Sequence, residues 1–164
     1  MDYDIIIAID PDIEKSGVAE LNPKTRALEV ANLSFPKLLD YLQFMKKYSG
    51  SNHTSLVVIV EAGWLNKSNW HLRSRDNLRA ASAKGKATGR NFETGRKIIE
   101  MCNHYGIPVI EQKPLNKIWK GKDRKITHDE LASFTGITCR TNQDGRDAAL
   151  LAWVFANLPI NINK

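Results

Sequence analysis

The sequence lacks the features that mark several large classes of protein. It holds only two cysteines, Cys102 and Cys139, and their spacing fits neither a zinc site nor a disulfide framework. We therefore expect two free thiols and a cytoplasmic, reducing environment. No apolar run reaches the roughly 18 residues that a membrane span requires. The acidic start of the chain is also the reverse of a secretory signal.

Nucleotide-binding and hydrolase motifs are missing as well. The chain has no Rossmann fingerprint, no P-loop and no Gly-x-Ser-x-Gly motif. It has no internal repeat, low-complexity tract or linker either, so we predict a single domain over residues 1–164. An actin-like phosphotransferase needs two such domains with a cleft between them, and this chain is too short for that.

Basic charge is abundant and is concentrated in two stretches. The net charge is +6 and the isoelectric point is near 9.4. Residues 64–97 carry nine lysines and arginines against two acids, and residues 113–125 carry six against one. Trp64, Trp70 and Trp119 lie among them, as stacking on unpaired bases would require. Ordinary solvated surface is the alternative, but the pattern favours a groove for a phosphate backbone. The residues predicted to contact DNA are Trp64, Lys67, Arg73, Arg75, Arg79, Lys84, Lys86, Arg90, Lys122, Arg124 and Lys125.

Apolar runs and turn signals predict an α/β fold. Pro36 opens a helix whose apolar side includes Phe44, and residues Ser49–Asn52 form the next loop. Residues 62–90 are basic and irregular, and we assign them no element. The predicted strands are Asp4–Asp10, Ser16–Leu21, Ala27–Leu33, Leu56–Glu61 and Pro108–Glu111. The later predicted helices are Asn91–Tyr105, one that starts at the Thr127 capping box, and Asp144–Asn157.

Acidic residues follow two of the predicted strands and open the last helix. Asp10 and Glu61 each end an apolar strand, which is where sites form in open α/β sheets. Asp144 and Asp147 are three residues apart and share a helix face. That face continues through Val154, so we expect it to point inward. The sequence therefore predicts that the four carboxylates converge.

A convergence of carboxylates predicts a metal site. Four acids repel one another unless cations lie between them, and hard oxygen ligands suit Mg²⁺ or Mn²⁺. Two such ions, about 3.5–4 Å apart, would clamp the attacking water and the leaving oxygen of a phosphodiester. The alternatives are that Asp144 and Asp147 complement a helix dipole and that Asp10 is a turn residue.

At these residues the sequence resembles the RuvC-type Holliday junction resolvases of the RNase H-like, retroviral integrase-like nuclease superfamily. In the segment IAIDPDIEKSGVAEL, Asp10-Pro11 and Gly17 match the family, whereas Asp12 replaces a glycine and Ser16 replaces a threonine. Trp64 follows Glu61 by three residues, where the family places an aromatic that stacks on bases at the crossover. The other similar segments are ATGRNFETGRKIIEMCNHYGIPVIEQKP, RKITHDELASFTG and GRDAALLAW.

The resemblance implies a fold, an activity and an assembly. The fold is a mixed five-stranded sheet, an antiparallel meander plus two parallel strands, flanked by helices. The activity is metal-dependent cleavage of branched DNA in recombination and repair, with Asp10, Glu61, Asp144 and Asp147 as metal ligands. The assembly is a homodimer that makes paired nicks, joined partly through the Asn91–Tyr105 helix, where Gly95 would permit close approach.

Two other functions stay open at this stage. One is an RNase H-like nuclease that acts on RNA precursors or flaps, since it would use the same acids. The other is a nucleic-acid-binding protein without catalytic activity, and the retained acids argue against it.

Overall fold

A five-stranded sheet forms the centre of the fold. The computed structural model describes residues 3–66 and 78–161, and for residues 78–81 and 84 it describes the main chain only. The strands are β1 (Ile5–Asp10), β2 (Ser16–Leu21), β3 (Leu28–Leu33), β4 (Leu56–Glu61) and β5 (Val109–Gln112). Their order in the sheet is β3-β2-β1-β4-β5. Strands β1, β2 and β3 pair antiparallel, while β4 lies parallel to both β1 and β5. The predicted mixed five-stranded sheet, an antiparallel meander plus two parallel strands, is confirmed.

Helices cover both faces of this sheet. They are α1 (Phe35–Ser51), α2 (Leu78–His104), α3 (His128–Thr135) and α4 (Gln143–Phe155). One buried cluster joins the sheet to α1 and α2, and the other joins it to α3 and α4. Because each strand presents alternate residues to the two clusters, β1 and β4 must be apolar on both sides. Five of the six residues in each of these two strands are buried.

The sheet register places the first two acids side by side. Ile9 pairs with Val60 across the parallel β1–β4 ladder, so Asp10 and Glu61 occupy the next pair of positions. Asp10 lies two positions after Ala8 and Glu61 two positions after Ile59, and both of these apolar residues belong to the α3 and α4 cluster. The two carboxylates therefore leave the sheet on the side that α4 covers.

Two glycines let the start of α4 lie directly on the sheet. A Cβ atom at Gly17 would overlap the main-chain carbonyl of Asp144. A Cβ atom at Gly145 would lie 2.7 Å from a methyl carbon of Val30. Asn142 caps this end of the helix by accepting the main-chain N–H of Gly145 at 2.9 Å. The close approach brings the acids of α4 to the edge where β1 and β4 end.

The structure corrects four details of the predicted elements. Helix α2 begins at Leu78, so part of the stretch at 62–90 is helical. This part of the helix could not be recognised from the sequence, because almost all described side chains at residues 82–90 are exposed and form no apolar stripe. Helix α1 runs on to Ser51, through the predicted loop, and Phe44 is 61% exposed instead of buried. Val154 is 39% exposed, so the inward face of α4 does not extend that far.

Among the helices in residues 3–66 and 78–161, none is both long enough and apolar enough to span a membrane. Both cysteines are free, with Cys102 buried and Cys139 exposed.

Candidate active site

Acidic side chains from two strands and one helix meet in a pocket at the end of the sheet. Asp10 from β1, Glu61 from β4 and Asp147 from α4 line it, together with Lys125. The pocket has a volume of about 90 Å³. Asp144 lies one helical turn before Asp147, close enough for its charge to act on Asp10. The structure thus brings three of the four acids that the sequence predicts into one pocket and places Asp144 within electrostatic reach of Asp10.

The carboxylates of this pocket repel one another. Burial raises the pKa of Asp10 well above its ordinary value, and the charges of Glu61 and Asp147 raise it further. Burial also raises the pKa of Glu61, again with help from Asp147. The pKa of Asp144 is raised by burial as well, and the charge of Asp12 adds to this. The site therefore favours the binding of positive charge.

Lys125 supplies positive charge inside the pocket. Its Nζ atom lies 2.6 Å from Oδ2 of Asp147, and both side chains are largely shielded from solvent. Burial opposes the charged form of Lys125, but the hydrogen bond to Asp147 and the attraction of Asp10 outweigh it and raise its pKa. The sequence predicts Lys125 as a DNA contact, and this stays a prediction. In the structure its ammonium is the partner of Asp147.

A second set of hydrogen bonds orients Asp147. Its Oδ1 atom accepts the side-chain amide of Gln143 at 2.7 Å. Arg146 donates to the amide oxygen of Gln143 at 2.9 Å and to the main-chain carbonyl of Thr141 at 2.6 Å. Both carboxylate oxygens of Asp147 are therefore hydrogen-bonded. Lys125 binds one of them, and Gln143, which Arg146 holds in place at the start of α4, binds the other.

The donor chemistry of the pocket fits a divalent cation. Carboxylate oxygens are hard ligands of the kind that Mg²⁺ and Mn²⁺ take. As they are placed, however, no three acidic, histidine or cysteine side chains in the described ranges form a group that could hold an ion. The Lys125 ammonium is the charge partner of Asp147 in this arrangement. Metal binding would require the acids to turn toward a shared centre.

The sequence did not predict one wall of the pocket as part of the site. This wall consists of residues that follow β5, among them Asn116, Lys117 and Trp119. The positive charge of Lys117 lowers the pKa of Glu61, so it lies within electrostatic reach of that acid. The basic cluster at residues 113–125 was a signal for this wall, although it did not indicate contact with the acids.

Trp64 packs against helix α2 and is hydrogen-bonded to strand β5. Its indole N–H donates to Oε2 of Glu111 at 2.9 Å. Phe92 packs edge-on against its ring at 5.9 Å, and the guanidinium of Arg96 lies 5.5 Å from the ring centre. Gly95 lies against the same ring, where an added Cβ would come within 2.7 Å. These contacts are those of a partly buried loop aromatic, and base stacking by Trp64 stays a prediction.

The same contacts correct the predicted role of Gly95. The glycine does not open α2 to a second copy of the chain, because the Trp64 ring of its own chain fills the space beside it.

The remaining residues predicted to contact DNA fall into three groups. Lys86, Arg90, Lys122 and Arg124 are exposed, as phosphate contact requires. Arg79 and Lys84 lie in α2, with side chains outside the described part of the structure. Lys67, Arg73 and Arg75 lie outside the described residues altogether.

Asp12 ties the first turn to helix α2. The side-chain amide of Asn91 donates to Oδ2 of Asp12 at 3.3 Å. The other carboxylate oxygen accepts the main-chain N–H of Glu14 at 2.9 Å. The side chain thus stabilises the turn after Asp10.

Comparison with known proteins finds likeness in structure alone. No family model matches the sequence, and no curated protein matches it significantly. Among solved structures, the chain is similar to RuvC of T. thermophilus in complex with a Holliday junction substrate, at 14% identity and a TM-score of 0.49. That alignment covers 92% of this chain and 91% of the other. The chain is also similar to the Fowlpox virus resolvase in complex with Holliday junction DNA, at 14% identity and a TM-score of 0.42. The second alignment covers 93% of this chain and 97% of the resolvase.

Proposed function

We propose that this protein is a metal-dependent endodeoxyribonuclease that resolves four-way DNA junctions. The observation that carries the proposal is the pocket in which Asp10, Glu61 and Asp147 meet beside Asp144. These acids follow one another along the chain in the order of RuvC-type resolvases. Raised pKa values at Asp10, Glu61 and Asp144 support a site that is completed by cations.

The four acids would hold the metal, and the basic residues would hold the DNA. When bound, two Mg²⁺ or Mn²⁺ ions would polarise the scissile phosphodiester and activate the attacking water. Gln143 keeps Asp147 in a fixed orientation by its hydrogen bond to Oδ1. Lys125 lines the same pocket, where its ammonium would be available to a phosphate oxygen of the DNA. Lys117 adds a second positive charge to the lining of the pocket.

The assembly that suits this reaction is a homodimer. Paired nicks on a symmetric junction require two sites related by a two-fold axis. Sedimentation of the free protein and of its junction complex tests this. A monomer with full activity on junctions would favour a nuclease that makes single nicks.

A nuclease that acts on flaps or RNA is the second candidate, and the engagement of Trp64 with α2 supports it. Trp64 and the long basic stretch that follows it are the sequence features that favour junctions over these substrates. Because the Trp64 ring is already bonded to Glu111 and packed on Phe92, it gives less support to a four-way junction as the substrate.

Cleavage of matched substrates decides between these functions. A synthetic four-way junction is incubated with the protein and Mg²⁺ beside a duplex, a flap and an RNA–DNA hybrid of the same sequence. Resolution of the junction into nicked duplexes in preference to the other substrates is expected. Preferred cleavage of the flap or the hybrid would support the second candidate. Binding without cleavage of any substrate would indicate a protein without catalytic activity.

The choice of ion gives an independent check on the metal. Mg²⁺ and Mn²⁺ should support cleavage, whereas Ca²⁺ should support binding without turnover, because its longer and looser coordination misplaces the attacking water. Cleavage that persists in EDTA would contradict a metal-dependent mechanism.

A further inference from the structure

One wall of the pocket is mostly apolar, which phosphodiester cleavage by itself does not require. We define the pocket loop as residues 113–121, which follow β5. Pro114, Leu115, Asn116, Lys117 and Trp119 of this loop all line the pocket. Among them only the lysine carries a charge that attracts a phosphate. An apolar surface that carries one amide is suited to a nucleoside instead.

The pocket loop is held in place from behind by Glu130. This carboxylate is only 8% exposed, and it accepts the main-chain N–H of Lys120 at 3.1 Å and that of Thr127 at 3.0 Å. The loop is also tied to the segment that carries Lys125, because Gly121 donates its main-chain N–H to the Lys125 carbonyl at 3.0 Å. The loop and the catalytic cluster are therefore fixed relative to each other.

Aromatic packing fixes the apolar part of the loop. The ring of Trp119 lies nearly parallel to that of Phe134, with 6.2 Å between centroids and an interplanar angle of 28°. Phe134 in turn packs on the buried Trp153 of α4. Trp119 thus has one side anchored to the core and still lines the pocket beside Leu115 and Leu150. A preorganised apolar surface of this kind binds a sugar or a base at low entropic cost.

We propose that the pocket loop binds the nucleoside next to the scissile phosphate and sets the sequence preference of cleavage. This inference rests on the proposed nuclease function. Trp119 and Leu115 contact the sugar and the flat face of the base. The side chain of Asn116 is exposed at the pocket and reads the edge of the base, because an amide offers both a donor and an acceptor. Lys117 contacts the phosphate next to Glu61.

Cleavage of a mixed junction library tests the assignment of Asn116. The library consists of four-way junctions with randomised nucleotides on both sides of the crossover, and sequencing of the cut ends gives the preference at each position. Asn116→Ala removes the amide, so the ratio between the best and the worst base at one flanking position should fall by about 5- to 150-fold, the range for one bidentate contact. Asn116→Asp leaves only acceptors, so the preferred base should shift toward cytosine, whose amino group donates.

Matched controls separate this result from general damage. Asn161→Ala removes an exposed amide beyond the opposite end of α4 and should keep the wild-type preference. Thermal unfolding of all variants should be the same, since Asn116 is exposed. A wild-type enzyme that cuts without base preference, or a ratio unchanged in either Asn116 variant, would overturn the inference and leave the nuclease function standing. Failure of the wild type to cut any junction would instead contradict the proposed function.

Discussion

The ammonium group of Lys125 lies 2.6 Å from a carboxylate oxygen of Asp147, in the pocket that Asp10 and Glu61 also line. The lysine precedes α3 and the acid lies in α4, so the contact joins two segments that flank a helix. A buried carboxylate cluster needs a counter-charge to fold without metal. The lysine provides it, and the same charge is available to a phosphate when metal binds.

Substitution of the acids should separate catalysis from binding. Asp10→Asn, Glu61→Gln and Asp147→Asn should abolish junction cleavage, because each removes a candidate metal ligand. Asp144→Asn should also reduce it. Junction binding, measured by gel shift, should persist in all four variants, since the acids supply little binding energy. Turnover near the wild-type rate in any variant would remove that residue from the site, and Asp40→Asn, an exposed acid on α1, is the control.

The stability of the metal-free protein should fall as the pH rises. Burial raises the pKa of Asp10 above its ordinary value of 3.8, so the folded protein keeps a proton that the unfolded chain has already lost. The free energy of unfolding therefore decreases from about that pH up to the raised pKa of the folded state. Urea unfolding in EDTA at a series of pH values measures this.

Asp10→Asn should flatten that pH dependence, because the amide does not titrate. At neutral pH in EDTA the variant should be more stable than the wild type. Added Mg²⁺ should stabilise the wild type more than the variant, by linkage to binding. A wild type and a variant with the same pH profile would show that Asp10 is not the group that titrates.

Gly17→Ala should reduce both stability and activity. The new methyl group would overlap the Asp144 carbonyl, so the start of α4 would have to move off the sheet. Overpacking of this kind costs about 1–3 kcal/mol, and the shift would misplace Asp144 and Asp147. Gly50→Ala, in helix α1, meets no atom within 4 Å and should not destabilise the protein. Equal stability of the two variants by thermal unfolding would contradict the close packing.

Trp64 variants should show a structural effect and a catalytic effect. Trp64→Phe loses the indole bond to Glu111 and should cost about 0.5–1.5 kcal/mol of stability, measured by urea unfolding. If the ring also stacks on a base at the crossover, Trp64→Ala should weaken cleavage of an intact junction by about 5- to 150-fold. A junction with unpaired bases at its centre should then partly rescue the alanine variant. An equal deficit on both junctions would assign Trp64 a structural role alone.

The affinity for DNA should depend steeply on salt. With roughly six to ten phosphate contacts, it should fall about 10³–10⁵-fold between roughly 50 and 200 mM salt. Charge reversal at Lys86 and Arg90, both exposed on α2, should flatten this dependence. Charge reversal at Lys37 and Lys47, exposed on α1, is the matched control. If both pairs change the slope equally, then α2 has no special part in binding.

The strands of the sheet and the acids that end them were predictable from the sequence because both produce short local patterns. The apolar runs of β1 and β4 and the capping box at Thr127 were identified in this way, and the box is confirmed by the reciprocal bonds of Thr127 and Glu130. Pairings between distant residues were not predictable. The partner of Lys125 lies 22 positions away, and that of Trp64 lies 47 positions away. A basic residue in a basic stretch gives no local sign that its partner is a buried acid.

Helix α2 is unevenly supported along its 27 residues, and this should appear in the rate at which its amide protons exchange with solvent. Added side-chain carbons at Gly85 and Gly89 would meet no atom within 4 Å, whereas Ile98 and Cys102 are fully buried. Each internal glycine costs a helix about 1 kcal/mol relative to alanine, and a short unsupported helix is only marginally stable in water. Protection should therefore be weak before Phe92 and strong after it, so the two halves of one continuous helix belong to different cooperative units of unfolding.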